Sequence, residues 1–355
     1  MTHLVRLDAL RALAAFAVLV SHVGFWTGTT ARDFSGGLVA RGDAGVAVFF
    51  ALSAFLLLSP WVDGRPPATR DYAVRRAARI LPAYWVALAA VLLVGGLGVA
   101  EGGWRDALSH LFLMQAFTGA GYQGFSQSWS LSTEATFYLL VPVIGLLLAR
   151  ASRPLAWIGG AAAVGLAVHA TSHAMEPGTF SRALGLSALG HAAWFAAGAA
   201  VLVARRRVDR WPSVPTCLLA ATLVFLVASS PVAGPRDLTS ATVLEAVVKE
   251  LLYAVLAGLL LLAAARPWPH GASEALTRWL GDISYGVFLW HLVVLQVLYS
   301  LTNLPLFSGQ FWWVLAVVTS FTLVLATASA TFIEKPVRRW ARARTGRPVE
   351  PSPAP

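Results

Sequence analysis

The stretch "RALAAFAVLVSH" places Arg11 and His22 inside an otherwise apolar run. On a helix, eleven steps bring the ring to within roughly 20° of the arginine and about 16 Å farther along the axis. One face of one helix thus offers an anion-binding fork and, three turns away, an imidazole that can take or give a proton near neutral pH. Each also has a plainer use. Arg11 could snorkel to headgroups, and His22 could make a structural hydrogen bond within a bundle.

Other segments set polar groups in apolar surroundings. In "RRAARILPAYW" the guanidinium forks of Arg75, Arg76 and Arg79 suit phosphates, although positive-inside anchoring would explain them as well. In "SQSWSLSTEATFYLLVP" Ser130 or Ser132 suits a helix cap, with Glu134 in the first turn and Tyr138 one turn below. A carboxylate at the depth of His22 could orient that ring or raise its basicity. "LGDISYGVFLWHLVV" carries His291 about 16 Å into its run, again near the depth of His22. In "FIEKPVRRW" Glu334 and Arg338 are i,i+4 partners, as are Glu245 and Lys249, which leaves Glu250 without an obvious local partner.

The elements holding these groups are membrane helices. Of 355 residues 57% are hydrophobic and only 12% charged, too little charge for a water-facing surface of this size. Runs long enough to cross a bilayer number about ten, over 7–27, 42–62, 80–99, 129–149, 154–171, 187–204, 215–230, 243–265, 280–302 and 312–333. The weakest are 154–171 and 215–230. The fold expected is all-α and polytopic.

Basic residues fall in alternate loops, which with the N-terminus hold about twenty of the 27. Both termini are therefore expected in the cytoplasm. The charge of +10 then reads as a topology signal, not as nucleic-acid binding. The first run is too long and too polar for a cleaved signal peptide. The single cysteine, Cys217, excludes an internal disulfide. No metal-ligand spacing stands out, so neither a metal nor a permanently bound cofactor is expected. An apolar piece at 107–117 is too short to span comfortably and is expected to be re-entrant or interfacial. A transmembrane domain over 1–340 and a disordered cytoplasmic tail over 341–355 complete the plan.

Together, "LDALRALAAFAVLVSH", "GVAVFFALSAFLLLSPW", "RRAARILPAYW", "SWSLSTEATFYLLVP", "LGDISYGVFLWH" and "FIEKP" resemble the acyltransferase-3 family of membrane acyltransferases, in the family's order. The resemblance implies transfer of an acyl group, often acetyl, from cytoplasmic acyl-CoA to a hydroxyl. Acceptors in the family include cell-envelope sugars, glycolipids and polyketides such as macrolides. Arg11 and His22 match the family's arginine–ten residues–histidine motif, and Arg76 with Arg79 its arginine pair. Glu134 and Glu334 fall on motif carboxylates. The expected assignment is His22 and Glu134 as catalytic and Arg11, Arg76 and Arg79 as donor-binding. Trp129, Ser130, Tyr138, Tyr285, His291 and Glu334 are expected as supporting or acceptor-side groups. The setting implied is a bacterial inner (cytoplasmic) membrane.

The chain departs from the family pattern where Ala9, Ala12 and Ala54 replace glycines and where Ala47 replaces a common aspartate. Some relatives continue into a soluble esterase-like domain, so here the membrane part alone is expected to handle the acceptor. A secondary transporter or flippase is the alternative reading, since buried ionisable residues also mark transport paths.

Overall fold

The computed structural model describes residues 5–95, 103–205, 211–266 and 274–345. The helices are α1 (Val5–Trp26), α2 (Phe34–Ala40), α3 (Gly45–Val62), α4 (Thr69–Leu93), α5 (Trp104–Leu111), α6 (Gln115–Thr118), α7 (Trp129–Arg150) and α8 (Pro154–Ala174). They continue as α9 (Thr179–Gly185), α10 (Ala192–Ala204), α11 (Val214–Ala228), α12 (Val243–Ala264), α13 (Glu274–Thr302), α14 (Phe311–Ser329) and α15 (Lys335–Arg344). A 3₁₀ turn at Arg41–Ala44 leads into α3, and a π-helical turn at Ala330–Glu334 joins α14 to α15. Among the described residues there is no strand, and the protein is an all-α polytopic membrane protein.

Among the described residues eight segments are long and apolar enough to cross a bilayer, and α10 and α11 add two shorter apolar helices. The expected weak span at 154–171 is in fact a 21-residue helix. The expected span at 187–204 shrinks to 13 residues, because turns at Ser187–His191 precede α10. The apolar piece at 107–117, expected as one re-entrant or interfacial helix, is divided: Leu113, at φ 57°, separates α5 from α6. Trp104, Leu108 and Phe112 lie exposed along α5, the pattern of a helix lying in a membrane interface. α15 reaches Arg344; the rest of the expected tail, 346–355, lies outside the described residues, as do Arg206, Arg207 and Arg210 of the basic series.

Packing follows membrane logic. α7 turns Leu139, Val143 and Leu147 outward, where lipid replaces water, while α3 is buried on nearly every side. α1, α3 and α13 form the centre. They approach closely because small residues leave room. A Cβ on Gly45 would meet the Ala14 carbonyl, and one on Gly281 would strike Asp8.

Backbone groups freed inside the bundle find partners. Pro142 has no N–H to give to the carbonyl of Tyr138, and the Tyr72 hydroxyl donates to that carbonyl at 3.0 Å. Arg41, 2% exposed, donates to the carbonyls of Ala228, Ala233 and Gly234, which ties the end of α11 to the start of α3.

Candidate active site

Two cavities adjoin within the fold, with Val46 and Phe288 common to their linings. The first, of about 110 Å³, is lined by Arg11, Arg76, Arg79, Ser130, Glu134, Tyr138 and Tyr285 together with apolar residues of α3 and Phe288. α1 and α4 supply the cations, and α7 and α13 the polar groups facing them. The carboxylate of Glu134 accepts from the Ser53 hydroxyl and, at 2.5 Å, from the Tyr138 hydroxyl. Arg11 is oriented by Asp8, at 2.9 Å. The Arg79 guanidinium lies 5.9 Å from the centre of the Tyr285 ring, whose hydroxyl donates to the carbonyl of Ile80.

Glu334 stands behind this cavity, 1% exposed, with Arg79 Nη1 3.8 Å from its carboxylate. The π-helical turn carries it there, an extra residue per turn being a common way to re-aim one side chain. Its expected partner Arg338 bonds instead to the backbone carbonyl of Glu334, at 3.4 Å. Arg75 faces away from the cavity and donates to Thr345 at 2.9 Å, so the arginines at 75, 76 and 79 divide two and one.

The second cavity is larger, about 1050 Å³, and is lined by His22, Asp43, Trp129 and residues of α8, α9, α10 and α12. His22 does not face lipid. Its Nδ1 lies 3.0 Å from Nε2 of His291, and Nδ1 of His291 lies 3.0 Å from the carbonyl of Val287. A carbonyl can only accept, which assigns the His291 proton to Nδ1. Nε2 of a neutral His291 is then an acceptor, and the His22 proton sits on its Nδ1. The lone pair of His22 remains on Nε2. His291 is fully buried, whereas His22 is only partly so.

The expected site residues thus come together in two groups. Arg11, Arg76, Arg79, Ser130, Glu134, Tyr138 and Tyr285 line the smaller cavity, while His22 and Trp129 line the larger. Val46 and Phe288 line both and form the partition. The imidazole expected to lean on Glu134 leans on His291. Neither Ser130 nor Ser132 caps α7: its cap position is Ser128, and Ser130 donates back to the carbonyl of Gln127.

Some polar groups here escaped sequence reasoning. Lys249 pairs with Asp43 at 2.7 Å instead of with Glu245, which closes a capping box with Thr242. The Tyr253 hydroxyl donates to the same Asp43. Asp43 lies one helical turn ahead of Ala47, where family members commonly carry an aspartate. Glu250 has a distant partner, His191, at 3.0 Å. Its lack of a local partner was the available signal.

The sequence pattern of the family described as "Acyltransferase domain" matches residues 4–331, stopping just short of Glu334. The chain is 30% identical to Nodulation protein 10 of Rhizobium leguminosarum bv. viciae, across 94% of this chain and 92% of that one. It is 24% identical to the peptidoglycan O-acetyltransferase OatA of Listeria monocytogenes, across 94% of this chain but 55% of the relative, so it spans about half of that protein's length. It is 27% identical to the acyltransferase MdmB of Streptomyces mycarofaciens, across 98% of this chain and 95% of the other. No solved structure matches it. With its motif residues gathered around two adjoining cavities and nearly its whole length matched, the chain belongs to the acyltransferase-3 family of membrane acyltransferases.

Proposed function

We propose that the protein transfers an acyl group, acetyl in the simplest case, from cytoplasmic acyl-CoA to a hydroxyl of a cell-envelope carbohydrate or macrolide-like acceptor, within a bacterial cytoplasmic membrane. The observation that carries this reading is the His22 ring, held by His291 with its acceptor nitrogen free, beside a partition that backs onto an arginine-lined chamber. The carbohydrate acceptor rests on relatives named for peptidoglycan O-acetylation and exopolysaccharide production, and the macrolide-like one on the family resemblance.

In this reading the basic end of the bundle is cytoplasmic. Arg11, Arg76 and Arg79 hold the phosphates of the donor as charge-assisted forks. The pantetheine arm passes Val46 and Phe288 and brings its thioester toward His22, over the roughly 16 Å that separates Arg11 from that ring on α1. Nε2 of His22 takes the proton of the acceptor hydroxyl as its oxygen attacks the thioester carbonyl. The tetrahedral intermediate collapses with loss of the C–S bond, and the departing thiolate regains the proton from the imidazolium. Glu134, bonded to Ser53 and Tyr138, orders the chamber through which the donor passes.

The test uses purified full-length protein in detergent with acetyl-CoA and hydroxylated acceptors, and measures release of free CoA thiol. Acceptor-dependent release that falls about 10²–10⁴-fold in His22→Ala, with folding intact, is the expected result. Undiminished release in that variant sinks the assignment.

A further inference from the structure

Three buried ionisable side chains converge outside the groups used above. His169 comes from α8, His191 immediately precedes α10 and Glu250 comes from α12; they are 8%, 5% and 2% exposed. One ligating atom from each lies within 4.8 Å of the other two. All three line the larger cavity.

The proton count of this cluster does not close. Nδ1 of His191 donates to Oε2 of Glu250 at 3.0 Å, which uses the one N–H of a neutral imidazole. Nε2 of His191 and Oε1 of Glu250 are then bare acceptors, and both are buried without a hydrogen-bond partner. Nδ1 of His169 is also buried and unpartnered. Buried polar atoms are nearly always paired, so three orphans in one cluster are unusual. Lys249, next in sequence to Glu250, does not answer the need, because it turns to Asp43.

The surroundings are rigid. Trp194 stacks on His191 with ring centres 4.2 Å apart, and its indole N–H donates to the Glu250 carbonyl at 2.9 Å. The rings of Trp129 and His169 lie 5.3 Å and 5.4 Å from that of His191. Aromatic walls around a converging set of lone pairs fix ligand orientation before anything binds.

We propose that His169, His191 and Glu250 bind a Zn²⁺ ion. Two imidazoles and one carboxylate form a ligand set that zinc takes with a fourth position open, whereas Mg²⁺ and Ca²⁺ favour all-oxygen sites. Zinc bonds of about 2.0–2.2 Å in tetrahedral geometry require ligand atoms roughly 3.3 Å apart, so the trio needs only a modest contraction. On binding, the ion takes the place of the proton between His191 and Glu250, and the neutral imidazole carries that proton on Nε2 instead. The fourth position opens on the cavity that also holds His22, where an acceptor hydroxyl could occupy it.

The test is metal content, independent of acyl transfer. Tag-free full-length protein in detergent is stripped with a chelator, then equilibrated with Zn²⁺ or Co²⁺ and freed of excess ion. Elemental analysis should return one zinc per chain, and Co²⁺ should give the intense visible bands of a tetrahedral site. Glu250→Gln, His191→Gln and His169→Gln should each weaken binding at least tenfold while eluting as monodisperse protein, and His22→Ala should keep its zinc. Wild-type protein that holds no more metal than Glu250→Gln overturns the proposal. So does the finding that Glu250→Gln raises the Michaelis constant of a hydroxylated acceptor while no form of the protein binds zinc, which would make the cluster a hydrogen-bonding site for that acceptor.

Discussion

Nε2 of His291 stands 3.0 Å behind Nδ1 of His22, so one ring decides where the other carries its proton. The carbonyl of Val287 sets the relay by fixing the proton of His291. Removing His291 frees His22 to adopt the wrong tautomer, as well as leaving a gap beside it. His291→Ala should lower kcat about 10²-fold with the Michaelis constant for acyl-CoA little changed, a loss at the lower end of what positioned proton transfer supplies. His291→Gln, whose amide oxygen can still accept from His22, should recover part of the loss. Equal kcat in wild type and His291→Ala would dismiss the relay.

Arg76 and Arg79 face the smaller cavity while Arg75, in the same basic run, is tied to Thr345. This splits donor binding from mere topology. Arg76→Ala and Arg79→Ala should each raise the Michaelis constant for acyl-CoA about tenfold or more, the worth of one charge-assisted hydrogen bond. Arg75→Ala should leave it within about twofold, since a topology role alone would make the three substitutions equivalent. Saturation curves for the three variants decide the matter.

Val46 and Phe288 part the two cavities, and the donor arm must pass them. Val46→Trp should block the passage. Transfer should then fall about 10²-fold, the penalty for misplacing a reacting group, while coenzyme A still binds with wild-type affinity by calorimetry. Wild-type rates in Val46→Trp would mean that the thioester reaches His22 by another route.

His110, at the end of α5, is 1% exposed, stacks on Tyr122 with ring centres 4.3 Å apart, and donates from Nδ1 to the Asp106 carbonyl at 2.8 Å. Burial holds its pKa below the ordinary histidine value of about 6.5. Below that pH the unfolded chain binds a proton that the folded one refuses, so this contribution is present at neutral pH and is lost as pH falls. Melting temperature should therefore drop between about pH 7 and pH 5, and His110→Gln should reduce the drop. The same slope in that variant would remove His110 from the account.

The spacing of Arg11 and His22 was readable because helical periodicity is local: eleven residues fix angle and rise wherever the helix sits. His291 was readable only to its depth, since its contact with His22 depends on how α1 and α13 meet, and that rests on small residues such as Gly281. Glu134 at the right depth suggested a partner for His22, but depth does not fix azimuth, and the side chain points to Ser53. The i,i+4 rule misread Glu334 and Lys249 for a related reason. Inside lipid a long-range partner outcompetes a local one, because the bundle interior is the only polar place available. The length of α10 failed differently: its apolar run begins before the helix, and hydropathy does not register the turn at His191.

α11 has 15 residues and presents Leu219, Leu223 and Val227 to lipid. At 1.5 Å per residue it measures about 22 Å, against a hydrocarbon thickness near 30 Å. Local thinning of the bilayer is one response to such a mismatch, and it would draw headgroups and water toward the midplane on that flank. The protein would thereby reshape its own solvent, and a hydrophilic molecule travelling along the leaflet would meet a shorter climb there than anywhere along the flank of α7.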